Sequence, residues 1–274
     1  MPKLKNLVFL LSIALLLSAC GKALPPNPVV DDSKLLYNVL ELAKRPFLLL
    51  SPHSSNRLIA LYLDRVDPGI KSSTIDIDYL AGSSLKGGRV SPSFPISLPH
   101  TQAFLLGSCS TGGKCSFDSG LTSGTVKTRL NFENGEAHVL KSNYSFVNGT
   151  TSTADGRLLY TPKSTKTTSQ ILLDTQGLPA EFGGELSLGP IAITSTSEKS
   201  VEGKLEIKAS DVKSVKYFDG KVYLNQPATI TADSVSITLN HAPWHKEASI
   251  TRDDQKGIRE PVDLYVVGPF LMVK

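Results

Sequence analysis

The sequence predicts an all-β protein: an antiparallel sandwich or open, jellyroll-like sheets, with one short helix near the N-terminus. Three observations carry this expectation. Short segments rich in Val, Ile, Leu, Thr and Tyr recur from residue 47 to the C-terminus. Several of them alternate apolar and polar residues with the period of two that a half-buried strand requires. Gly, Pro, Asn and Asp separate them, with Asn-Gly at 134–135 and 148–149 and Asp-Gly at 219–220. Those dipeptides favour tight hairpin turns because both central positions accept positive φ. No repeat period is visible, which argues against a solenoid or propeller.

The chain opens with Lys3 and Lys5 and no acid, followed by thirteen uncharged residues, Leu7 to Ala19. A spanning helix needs about 20 apolar residues. The run is too short for that and fits the apolar region of a signal peptide over residues 1–19. Leu17-Ser18-Ala19-Cys20 resembles the lipobox of bacterial lipoproteins, a resemblance confined to residues 1–21. It implies cleavage before Cys20, diacylglycerol on the Cys20 thiol and an acyl group such as palmitate on the new N-terminus. Two or three acyl chains hold a protein on a membrane where one does not. Gly21, rather than Asp, implies the outer membrane in a cell that has one, and otherwise the outer face of the cell membrane.

With Cys20 consumed by lipid, Cys109 and Cys115 remain. An even pair in an exported chain predicts a disulfide. Gly112 and Gly113 between them can turn the chain tightly. The alternative, a metal or redox pair, lacks both C-x-x-C spacing and a second ligand pair. Loss of Lys3 and Lys5 leaves 27 basic against 25 acidic residues, a net charge of +2. No dense basic stripe marks the chain, so nucleic acid is not an expected partner.

Residues 20–33, containing Pro25 and Pro26, read as an extended tether. Over 34–44, Asp32 or Ser33 can cap a helix, Leu35, Leu36, Val39, Leu40 and Ala43 recur at helical spacing, and Pro46 stops it. Strands follow at 47–51, at 57–66 with Ile59, Leu61 and Leu63 inward, at 73–80 with Ile75, Ile77 and Tyr79 inward, and at 124–132 with Val126, Thr128 and Leu130 inward. The second half continues as short strands to residue 268. A Ser/Thr-rich stretch after Thr150 divides a first β region, 34–150, from a second, 151–274, in one domain or two.

Two resemblances add to this. "RLIALYLDRVDPGIKSSTIDIDYLAGSSL" resembles the opening of cohesin-like and other Ig-like modules, with Leu80 where those families place Asp. "KYFDGKVYLNQPATITADSVSITLN" is similar to the periplasmic lipopolysaccharide-transport jellyroll proteins. Neither carries a catalytic residue.

Chemistry-bearing residues are sparse. His241 and His245 are four apart in "HAPWH", and Asp253 could join them as a metal ligand after folding. Pro243 between the histidines argues for a loop, where that spacing has no set geometry. Trp244 is expected to pack on the body or to anchor a ligand. "SSLK" at 83–86 matches S-x-x-K without its companion motifs. The loops "DRVDPG" and "DSGLTSG" carry acids outside any calcium-loop pattern. Asp76 and Asp78 share a strand face that reads as solvated. No nucleophile elbow, phosphate loop or nucleotide fingerprint is present, and no cofactor is expected. The sequence therefore points to a non-enzymatic envelope lipoprotein whose β-rich body binds a protein or glycan or supports an assembly, with an envelope protein, glycan or lipid as its possible partner. The alternatives are a periplasmic carrier of an amphiphile and a hydrolase with a loop-borne site.

Overall fold

The strand signals resolve into three antiparallel sheets and one hairpin. The computed structural model describes residues 36–111, 113–164, 169–252 and 257–274. The signal peptide, Cys20, the tether and Asp253 lie outside the described residues.

The largest sheet has ten strands, numbered along the chain. In spatial order they are β16 (Tyr223–Gln226), β15 (Ser214–Phe218), β20 (Ile258–Val273), β13 (Leu186–Ser195), β12 (Gln170–Asp174), β9 (Ala137–Phe146), β8 (Leu121–Phe132), β3 (Ile70–Ala81) and β4 (Ser84–Val90). The tenth, β19 (Trp244–Arg252), pairs with the first half of β20. A three-stranded sheet orders β1 (Phe47–Pro52), β2 (Leu58–Asp64) and β5 (His100–Leu105). A five-stranded sheet orders β10 (Thr151–Ser152), β11 (Leu158–Pro162), β14 (Val201–Lys208), β18 (Ser234–His241) and β17 (Thr229–Ile230). The hairpin joins β6 (Gly107–Cys109) to β7 (Cys115–Phe117).

The middle of the large sheet is apolar on both faces. Side chains alternate across a strand, so on β12 Ile171 and Leu173 join the cluster formed with β1, β2 and β5. Leu172 between them joins Leu158, Tyr160 and Leu205 of the five-stranded sheet. On β13, Ala192 faces the first cluster and Ile191 and Ile193 the second. The continuous runs "QILLD" and "IAITS" are therefore the pattern of strands covered on both sides. Three layers result, with the large sheet between the two smaller ones. Strands from before and after residue 150 meet in it at β9 and β12, and residues 36–274 form one compact unit.

The expected alternation holds on β3, where Ile75, Ile77 and Tyr79 are buried, and on β8, where Val126, Thr128 and Leu130 are buried. It does not hold on β2, which is buried on both faces from Leu58 through Leu63. Ile250 of β19 and Val262, Leu264 and Val266 of β20 belong to the same cluster. β19 also lies beside β5, where the Thr101 hydroxyl donates to the Ser249 carbonyl at 2.9 Å. The other side of β2, with Leu58, Ala60 and Tyr62, is thus covered as well.

The helix expected over 34–44 is not formed in its described part, apart from a 3-10 turn at Leu42–Lys44. The reason is an unpaired strand edge. β12 covers only Tyr144–Phe146 of β9, and the N-terminal segment meets it at Val139 and Lys141. Tyr37 bridges Val139, and the Asn38 N–H donates to the Val139 carbonyl at 2.9 Å. The Asn38 side-chain amide donates to the Lys141 carbonyl and accepts from its N–H, both at 2.9 Å. Arg45 donates to the carbonyls of Leu40 and Asn38. A helix would forfeit these bonds to bury one face, and Leu36 and Val39 remain 75% and 57% exposed.

Leu172→Ala and Leu173→Ala should each lower stability by about 2–5 kcal/mol, because each opens a cavity in a different layer. Leu159→Ala, on a partly exposed position of β11, should cost less than about 1 kcal/mol. Urea unfolding monitored by circular dichroism measures all three.

Candidate functional site

The layers part at one end of the large sheet. There β1 stops at Pro52, β2 starts at Leu58, β8 starts at Leu121, β9 stops at Phe146 and β12 starts at Gln170. A cleft of about 300 Å3 opens among these ends. Leu58, Leu106, Leu121 and Phe146 give it an apolar floor, and Asn56, Asp118, Ser119, Asn148 and Gln170 a polar rim. An apolar floor with a few convergent polar groups is the usual make-up of a small-ligand site.

Three local structures shape the rim. The first is the hairpin β6–β7. The Leu106 N–H donates to the Arg57 carbonyl at 2.8 Å, and the Asp118 N–H to the Leu106 carbonyl at 2.9 Å, so the hairpin stems from the cleft wall. A disulfide joins the directly opposed Cys109 and Cys115, as the sequence predicts. At Gly107 a Cβ would lie 2.1 Å from the Ser116 carbonyl oxygen, so only glycine fits that crossing. The Arg57 guanidinium lies 4.5 Å over the Phe117 ring at the hairpin base.

The second is the environment of Asp118. Its carboxylate pairs with the Lys86 ammonium and accepts from the Tyr79 hydroxyl at 2.7 Å. The Lys86 bond, then the Tyr79 bond, hold the Asp118 carboxyl below the usual carboxylate range. Burial, with the Asp118 contact, pushes the Tyr79 phenol up. Asp118 is the one ionisable group among the described residues lining the cleft, and Lys86 neutralises it.

The third is the loop carrying Asn56. The Ser55 hydroxyl lies 2.8 Å from His53 Nδ1, and His53 Nε2 lies 2.8 Å from a Glu260 carboxylate oxygen. That connectivity follows the serine–histidine–carboxylate order of acyl-transfer enzymes. The N–H groups around it are committed elsewhere. Ser55 N–H donates to His53 Nδ1, Asn56 N–H to the His53 carbonyl, and Arg57 N–H to the Ser55 hydroxyl. An oxyanion hole needs such donors unspent. The arrangement therefore locks the loop and ties it to β20 through Glu260.

The other expected residues fall elsewhere. His241, at the end of β18, shares a 2.8 Å hydrogen bond with Gln226, and burial pushes its imidazole below the ordinary value. His245, on β19, pairs with Asp263 at 2.9 Å and stacks on Tyr265. Among the described residues no group of three His, Cys, Asp or Glu side chains is placed to hold a metal. Trp244 is half-buried, donates its indole N–H to the Gly268 carbonyl at 2.6 Å, and packs against Phe47 and Phe218. Ser83 sits in the β3–β4 turn and Lys86 serves Asp118, so "SSLK" is not a catalytic pair. Asp76 forms a forked pair with Arg89 at 2.6 and 3.0 Å.

Sequence reasoning missed Asn56, Asn148 and Gln170 as site residues. Asn148 was legible only as the first residue of an Asn-Gly turn. At the opposite end of the sheet two depressions of about 430 Å3 are bordered by charged groups, the exposed Glu181, Glu185 and Lys274 and the half-buried Arg65. No family model, curated protein or solved structure matches the chain.

A buried polar cluster lies where β10–β11 meets β9 and β12. Arg157 donates to Asp174 at 2.5 Å, and Asn143 N–H approaches the same oxygen at 3.4 Å. The other Asp174 oxygen is buried without a partner. Burial pushes the Asp174 carboxyl up to about 6, with Arg157 offsetting only part of the cost. Between the ordinary value of 3.8 and about 6, the folded protein holds a proton that the unfolded chain has released. Stability from this group therefore falls as pH rises through that window and levels above it, by an amount on the order of 3 kcal/mol. Asp118 acts in the opposite sense, its contribution being lost as pH falls below the ordinary carboxylate range. Thermal melts from pH 4.5 to 7.5 should show the decline in the native protein and a flatter profile in Asp174→Asn.

Proposed function

We propose that this chain is a lipid-anchored lipoprotein of the cell envelope whose β body is a non-enzymatic binding module, with the cleft at the end of the large sheet as its ligand site. The observation that carries this reading is the order of features along the chain. A lipobox at Cys20 precedes a Pro-rich tether, and the β body begins where Tyr37 and Asn38 join β9. That junction lies at Val139 near the start of β9, and the cleft at Phe146 lies seven residues along the strand, about 23 Å away. The disulfide accords with an oxidising compartment.

Carriage of a lipid or other amphiphile is the second reading, and the apolar floor of the cleft favours it. Against it, the spaces between the sheets are filled by the two main core clusters, which contain Tyr62, Tyr144, Tyr160 and Phe270 at 1% exposure or less. A surface site fits that packing better than an internal one.

Mass spectrometry of the native protein should find an N-terminus at residue 20 carrying diacylglycerol, with Met1 to Ala19 absent. Cys20→Ala should move the protein from the membrane to the soluble fraction. An intact Met1, or an unmodified Cys20 at the N-terminus, overturns the lipoprotein reading.

A further inference from the structure

The cleft at the layer ends has a pattern of spent and unspent groups that narrows its ligand. Its charge is balanced, since Asp118 is the one ionisable lining residue and Lys86 pairs with it. A charged ligand would therefore lose hydration without gaining a counter-charge. Several backbone groups around the cleft are paired with one another. Val147 N–H donates to the Gln170 carbonyl, Thr196 N–H to the Ser169 carbonyl, and Gly82 N–H to the Gly120 carbonyl. With Leu106 and Asp118 paired as described, the walls offer little edge for a peptide strand to extend.

What remains open is a set of side chains. The amides of Asn148 and Gln170 and the hydroxyl of Ser119 make no hydrogen bond within the described protein. The Asn56 side chain accepts from the Ser169 hydroxyl, and its NH2 group makes no hydrogen bond within the described protein. These neutral groups, donors and acceptors together, ring a floor that includes the Phe146 ring, itself packed edge-to-face on Tyr144 at 5.7 Å. The complement is a ring with an apolar C–H face and hydroxyl or acetamido groups around its rim. The His53–Ser55–Glu260 lock holds Asn56 in place before binding, which lowers the ordering cost.

We propose that this cleft binds an uncharged glycan, seating a pyranose ring over Phe146 with its polar rim on Asn56, Ser119, Asn148 and Gln170. The inference rests on the binding-module reading and gives that module its ligand class.

The test uses the full mature protein in dodecylphosphocholine micelles, titrated calorimetrically with N,N′,N″-triacetylchitotriose. A capped tetra-alanine peptide and lysophosphatidylcholine are titrated in parallel. Saturable binding of the trisaccharide is expected. The double variant Asn148→Ala/Gln170→Ala should weaken it about tenfold or more. Because both residues are outside the core, the variant's melting temperature should match the parent's, and Asn148→Gln should restore part of the affinity. If the peptide or the lipid binds instead, and the double variant abolishes that binding, the glycan inference is overturned while the cleft remains a binding site. If none of the three probes binds, both the inference and the cleft's support for a binding module are overturned. Trisaccharide binding untouched by the double variant also overturns the proposed seat.

Discussion

The fold depends on one sheet being apolar on both faces at its centre. A three-stranded sheet and a five-stranded sheet each lack the area to bury themselves alone. Both use β12 and β13 as their floor, one from each side. This requires consecutive apolar residues where an ordinary antiparallel strand would alternate, and Ile171, Leu172 and Leu173 supply them. Two polar side chains that enter this layer bond across it. The Thr194 hydroxyl donates to the Leu50 carbonyl at 2.7 Å, which pins β1 across β13. The Gln176 amide reaches the Val126 carbonyl at 3.2 Å. The sheet must then manage its own edges. β4 places Lys86, Gly87, Gly88 and Arg89 on one rim, a composition that discourages further pairing. β16 is four residues long and ends before Pro227. The uncovered half of β9 is closed by Asn38.

Sharing a floor has a polar cost where the five-stranded sheet is hinged to it. The β10–β11 hairpin turns beside Asp174, and Arg157 reaches both Asp174 and Asp155. Asp155 in turn accepts from Thr153 at 2.6 Å and from the Asn143 amide at 2.9 Å. Apolar residues in these places would bury more cheaply, because a buried ion pair seldom repays its desolvation. They would also leave the hairpin free to slip, since a one-residue shift turns every side chain to the other face. Arg157 reaches both carboxylates in this register, with its Nε left without a hydrogen bond.

Legibility followed from how many faces each element buries. β3 and β8 each bury one face, and their alternating residues could be read in order. β2 buries both, so Leu58, Ala60 and Tyr62 are covered as fully as the Ile59, Leu61 and Leu63 read as inward. Tyr62 adds to the ambiguity because its ring is buried while its hydroxyl donates to Asp64 at 2.8 Å. The helical spacing over 34–44 was genuine in the sequence, yet an open strand edge outranked it. Backbone donors and acceptors left unpaired there cost more than one amphipathic face could return. The Cys109–Cys115 pair was readable because its chemistry is local. The cleft was not, because Asn56, Asp118, Asn148 and Gln170 come from separate connections that converge only when three layers end together.

Where a site does chemistry and where it only holds itself together is decided by counting donors. Ser55, His53 and Glu260 have the distances of a nucleophile, a base and its orienting acid, and distance alone would rank them first. Their surrounding N–H groups are consumed inside the turn, so a developing negative charge there would meet no aimed dipole. A few residues away the balance is reversed. Asn148, Gln170 and Ser119 have polar groups with no partner in the described protein, above an apolar floor. Exposed amides lose little by waiting in water, and each gains a defined partner when a ligand displaces that water. The rigid loop and the unsatisfied rim are two halves of one arrangement: the first spends its hydrogen bonds on position, and the second holds them ready for a ligand. The proposed recognition role rests on that division.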